Sequence, residues 1–119
     1  LAAPAGGDAA RDLQRLLQVG VLCNQSQSNG GPSEPSDGSA TEQALIALAV
    51  RAGHDPAASR AAFPLLSTEL RAEGRNYMRT VHAQADPARR LVAVKGNPDE
   101  VLALCGDYLD GAGTRRLDR

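Results

Sequence analysis

Residues 91–105, LVAVKGNPDEVLALC, constrain the fold of this chain more than any other stretch. The aliphatic and β-branched residues from Leu91 onward read as a strand that ends at Lys95-Gly96. Asn97 is suited to cap a helix, Pro98 fits its first position, and Asp99 and Glu100 put carboxylates where the helix dipole favours them. Val101, Leu102 and Leu104 are expected on the buried side of that helix. A lysine and a glycine thus stand at a strand-to-helix junction, where backbone N–H groups and a cation can face an anionic ligand. An ordinary turn with a solvated lysine has the same spacing, so the motif alone does not separate the two.

The rest of the chain surrounds this unit with short elements. Asp8 can cap a first helix running to about Cys23, with Leu13, Leu16, Leu17, Gly20 and Val21 on one apolar stripe. Residues 25–38 carry almost no hydrophobic side chains and cannot offset their ordering entropy, so a mobile loop inserted within the domain is expected. Ser39 and Glu42 have the S-x-x-E spacing of a capping box, and Ala44, Leu45, Leu48, Ala49 and Ala52 form the expected inner stripe of a second helix. Asp55-Pro56 opens a third, short helix through about Ala62. Pro64-Leu65-Leu66, Tyr77 to His82 and Leu91 to Val94 then read as strands, with Met78, Thr80 and His82 facing opposite to Tyr77, Arg79 and Val81. Asp110-Gly111 and Gly113 mark a turn between two last short strands. The order ααα-βββ-α-ββ, with hairpins and no long crossovers, predicts an α/β chain of the α+β type: an antiparallel twisted sheet flanked by helices.

With 119 residues the chain is expected to form a single domain, 1–119, with one core. A net charge of −1 argues against a nucleic-acid binder, which would present a basic face. Cys23 and Cys105 lack metal-ligand or CxxC spacing and read as buried, reduced thiols of a cytosolic protein. His54 and His82 have no metal-ligand spacing and read as structural or solvent-exposed. No apolar run approaches the ~18 residues that span a bilayer, and no signal peptide is visible. The only methionine is Met78, so an excised piece of a longer protein is expected.

Three segments in order carry a family resemblance: Val21-Leu22-Cys23-Asn24, GSATEQAL from Gly38 to Leu45, and VKGNPDEVLALC from Val94 to Cys105. They resemble the "aLCN", "GdptEgAL" and "vKGApEviL..C" segments of the nucleotide-binding (N) domain of P-type cation-transporting ATPases. LRAEGRNYMRTVH stands where that family has a "FsS.rKrMsvv" hairpin, and Met78 with Thr80-Val81 fits it. The resemblance covers nearly the whole chain. It implies the N-domain fold, ATP as ligand (Mg-ATP in the parent pump), and a monomeric cytoplasmic domain of an integral membrane protein, itself free of membrane contact. Its implied partners are the phosphorylation and actuator domains of the same parent chain.

By the same resemblance Glu42 would contact the adenine amino group, and Lys95 and Gly96 would line the pocket floor. Glu42 is also the capping-box partner of Ser39, and one oxygen could serve each role. The family's adenine-stacking phenylalanine is missing: its position falls on Arg71, beside Leu70. Arg71 through its guanidinium plane, or Tyr77, could take that place. Arg75, for the family's lysine, would reach the phosphates or lie in solvent; Met78 would wall an adenine slot or the core. The family's phosphorylated aspartate lies in a DKTGT segment that this sequence does not contain, so the implied role is to hold ATP, not to be phosphorylated by it. The alternative is a degenerate N-like domain with a structural or regulatory role.

Overall fold

The computed structural model describes residues 7–30 and 38–118. In chain order these form α1 (Gly7–Leu22), α2 (Ala40–Arg51), α3 (Pro56–Ala62), β1 (Leu65–Glu69), β2 (Tyr77–Ala83), β3 (Arg90–Gly96), α4 (Pro98–Leu104), β4 (Asp107–Leu109) and β5 (Thr114–Arg116). The order is the expected one, and local chemistry explains its punctuation. Ser39, Asp55 and Asn97 cap α2, α3 and α4, each side chain accepting from backbone N–H groups of the first turn. α1 starts at Gly7, one residue ahead of the expected cap at Asp8.

β1, β2 and β3 form an antiparallel sheet in that order, while β4 and β5 pair separately as a small hairpin. The β2–β3 register sets Met78 opposite Lys95 and Tyr77 opposite Gly96. Burial alternates along β2, with Met78, Thr80 and His82 buried and Tyr77, Arg79 and Val81 half-buried, as a pleated strand covered on one face requires.

α1 is shared between two clusters. Leu17 and Val21 pack with Ile46 and Ala49 of α2, whereas Cys23 packs with Met78 and Ala93 of the sheet and Val19 leans on that second group. His82 is held by its two ring nitrogens, 3.0 Å from the Phe63 carbonyl oxygen and 2.8 Å from Thr80 Oγ1. His54 lies between Gln14 and Ser59, so both histidines serve packing. Among the described residues no helix is long and apolar enough to cross a membrane.

Three expectations about burial are corrected. Leu16 is exposed, because α1 turns Leu17 and Val21 toward α2. On α2 the buried line is Glu42, Ile46 and Ala49, at i, i+4 and i+7, while Ala44 is exposed. α4 buries none of its residues: Val101 is half-buried, Leu102 and Leu104 are exposed, and the helix meets β3 while its Glu100 accepts from the Asn76 N–H. Cys23 is fully buried and Cys105 half-buried, both as free thiols.

The polar stretch after α1 acquires specific partners over residues 24–30, and residues 31–37 of the expected loop lie outside the described ones. Asn24 Nδ2 donates to the Gly20 and Glu42 carbonyls, each at 3.0 Å, tying α1 to α2. Asn24 Oδ1, Ser26 Oγ and Ser28 Oγ then accept in turn from the N–H groups of Ser26, Ser28 and Gly30. From α3 the Arg60 guanidinium donates to the carbonyls of Ser26, Gln27 and Ser28 and to Asn29 Oδ1. Composition cannot reveal this strap, since the cation that holds it lies more than thirty residues on.

Candidate functional site

A cleft of about 460 Å³ opens between the start of α2 and the end of the sheet. Ser39, Thr41 and Glu42 come from the first turn of α2, Gln25 from the strap, Leu70 and Arg71 from the connection after β1, and Met78, Lys95 and Gly96 from β2 and β3. Its position follows from the fold. The Asn24 bridge draws the strap against α2, and the β2–β3 register puts Met78 and Lys95 side by side, Met78 packing under Cys23 at the end of α1.

Glu42 lies at the centre. Its Oε1 accepts the Ser39 N–H at 3.2 Å while Ser39 Oγ accepts the Glu42 N–H at 3.1 Å, completing the capping box. Oε2 accepts the Gln25 N–H at 2.6 Å and the Lys95 ammonium at 3.3 Å. The carboxylate is buried, and burial alone would raise its pKa. The Gln25 and Ser39 N–H groups and the Lys95 charge outweigh that effect and hold it below the ordinary carboxylate value. Glu42 therefore stays ionised and acceptor-only at neutral pH.

Among the described residues the lining carries two cations, Arg71 and Lys95, against this one carboxylate, an excess positive charge beside the N-terminus of a twelve-residue helix. Met78 and Leu70 give it apolar wall. Charge, volume and a few convergent polar groups fit an anionic ligand with a flat or apolar portion.

Of the residues expected from the sequence, Glu42, Arg71, Met78, Lys95 and Gly96 come together here. Arg75 and Tyr77 do not line the cleft. Tyr77 sits on the opposite face of β2, with the Arg75 guanidinium carbon 5.8 Å from its ring centre. Arg75 Nη2 donates to the Leu70 carbonyl at 2.6 Å, which steadies the connection carrying Leu70 and Arg71. Gly96 is required by close approach: a Cβ there would overlap the Tyr77 Cα and the Asn76 carbonyl oxygen. Gln25, Ser39, Thr41 and Leu70 also line the cleft, beyond the site residues that the sequence singles out. Thr41 adjoins Glu42 and could have been inferred from it; Gln25 is placed by the Asn24 bridge, which leaves no local signal.

Comparison with known proteins bears on the family of the chain. The family model for the P-type ATPase cytoplasmic domain N matches residues 12–118. The cation-transporting ATPase pma1 of Synechocystis sp. is 34% identical over 98 residues, which cover 82% of this chain and 10% of that protein. The chain thus spans about a tenth of the length of the curated relative it matches.

Proposed function

The chain belongs to the P-type ATPase cytoplasmic domain N family, and from that premise we propose that its cleft holds ATP and presents it to a phosphorylation domain of a cation-transporting parent. The observation that carries this reading is the Glu42–Lys95 pair beside Met78, in a cleft with excess positive charge. Glu42, held ionised, would accept from the adenine amine. Lys95 and Arg71 would balance phosphate charge, and Met78 and Leu70 would cover the faces of the base. Gly96 would let the sheet end approach the ligand. In the parent, hinge closure would bring the terminal phosphate to a nucleophile on the phosphorylation domain, with Mg²⁺ accompanying the nucleotide. The domain itself would lie on the cytoplasmic side of an integral membrane protein, driving cation transport by supplying nucleotide and performing no chemistry alone.

One observation favours a second reading. Among the described residues no aromatic side chain lines the cleft, and Leu70 and Arg71 stand where a stacking ring would be expected. A domain that has lost nucleotide contact and acts as a structural or regulatory module would look the same there.

Titration of ¹⁵N-labelled protein with ATP, ADP and GTP separates the two. Amide shifts confined to Glu42, Lys95-Gly96, Leu70-Arg71 and Met78, larger for adenine than for guanine nucleotides, are expected. Silence at millimolar ATP would sink the nucleotide reading and leave the second.

A further inference from the structure

Gln25 stands where two clefts meet. Behind the first cleft lies another of about 290 Å³, walled by Leu22, Leu65 and Thr80, and the two share Gln25, Leu70 and Met78 as their common ridge. The Gln25 N–H is fixed on Glu42 Oε2 at 2.6 Å, which pins its Cα next to that carboxylate. Gln25 lines both clefts and is exposed, and its side-chain amide has no hydrogen-bond partner among the described residues.

The acceptor capacity of Glu42 makes this neighbour matter. A carboxylate offers about four lone-pair sites, and Ser39 N–H, Gln25 N–H and Lys95 Nζ already use three of them. One site is left, so Glu42 can receive one N–H from a ligand. A single bond does not fix the rotation of a planar heterocycle about it. A second polar group beside the first would, and the amide of Gln25, with two N–H donors and an acceptor oxygen, can supply it.

We propose that Gln25 is a specificity-determining residue of the cleft, its amide donating to the ring nitrogen next to the exocyclic amine that Glu42 accepts. This deepens the nucleotide reading above and rests on it. An amine beside an unprotonated ring nitrogen is the edge of a 6-aminopurine, and glutamine is a matched partner for that donor–acceptor pair. A 6-oxopurine turns a carbonyl oxygen toward the ionised Glu42 and a ring N–H toward the amide. The carboxylate has no proton to give, so acceptor meets acceptor and the ligand is rejected. Glu42 thus excludes the oxo edge, and Gln25 adds affinity for the amino edge.

Calorimetric titration of wild type, Gln25→Ala and Gln25→Glu with ATP and with inosine triphosphate, at one ionic strength, tests this. Gln25→Ala keeps the backbone N–H that Glu42 uses, so ¹⁵N amide positions away from the cleft should not move. It should weaken ATP by about three- to tenfold, the worth of one hydrogen bond, and inosine triphosphate by less than about twofold, narrowing the ratio between them. Gln25→Glu, an acceptor facing the same ring nitrogen, should weaken ATP further. Wild-type ATP binding with an unchanged ratio in Gln25→Ala would overturn the role of Gln25 and leave the cleft assignment standing. An unsubstituted protein that binds neither nucleotide would overturn both.

Discussion

Lys95 Nζ lies 3.3 Å from Glu42 Oε2, joining the end of β3 to the first turn of α2 across 53 positions of sequence. The carboxylate is buried and the ammonium partly so. Such a pair adds little over a well-packed apolar alternative, but removing one member strands the other and its donors. Glu42 also serves the capping box and the strap, so it joins helix, sheet and loop at once.

Glu42→Ala should therefore cost about 2–4 kcal/mol, combining the lost cap with donors left unpaired. Glu42→Gln, which can still accept at Ser39 or Gln25, should cost about half as much. Urea unfolding followed by circular dichroism gives both values. A Glu42→Ala midpoint equal to that of the wild type would contradict the central role assigned to this side chain.

Acid should act through the same group. Folded Glu42 sits below its ordinary pKa, so the unfolded chain binds more protons in the window between the two values. Its contribution is complete above the unfolded pKa and is lost as pH falls through the folded one. Glu69, lowered by its hydrogen bond from Arg79, changes stability in the same direction but is screened by solvent. Urea midpoints taken from about pH 7 to about pH 3 should decline, and the decline should be shallower in Glu42→Gln. A wild-type profile that is flat over that range, or one unaltered by the substitution, would count against the effect.

Gly96→Ala should separate the ends of β2 and β3. The added methyl has no room beside Tyr77 and Asn76, and relieving that overlap costs about 1–3 kcal/mol. Faster hydrogen exchange at Tyr77 and Asn97, with the middle of the ladder protected, is the expected signature. Gly74, whose Cβ would meet nothing, has a positive φ instead, so an alanine there tests conformational strain alone.

Arg60→Ala removes the donor shared by the carbonyls of Ser26, Gln27 and Ser28. Exchange at residues 26–30 should accelerate by about tenfold or more, as one or more charge-assisted bonds are lost. Nucleotide affinity should fall modestly, because Gln25 hangs from the same strap. Equal protection in mutant and wild type would mean that the serine turns hold the strap unaided.

Much of this architecture is legible in the sequence because its punctuation is local. Ser39, Asp55-Pro56 and Asn97-Pro98 act within a turn of themselves, and the alternation along Tyr77 to His82 needs only its own strand. Glu42, Lys95, Gly96 and Met78 are legible through segments that resemble a family, and Arg71 through a gap in one. Burial was less legible. The stripe on α2 runs through Ile46 rather than Ala44 because α1 fixes its rotation, and Leu102 and Leu104 look like core residues in the sequence yet lie exposed on α4. The strap and Gln25 depend on Asn24 and Arg60 meeting partners far along the chain, which no window of sequence contains.

The two cysteines turn these layers into a clock. Cys23 lies fully buried under the sheet with its thiol directed at the Met78 carbonyl, and burial raises its pKa, so a thiol reagent reaches it only when α1 parts from β2. Cys105, half-buried at the end of α4, is open to the same reagent without that parting. The labelling rate at Cys23, referenced to Cys105 in the same molecule, reports how often the floor of the cleft opens, with no probe added to the protein.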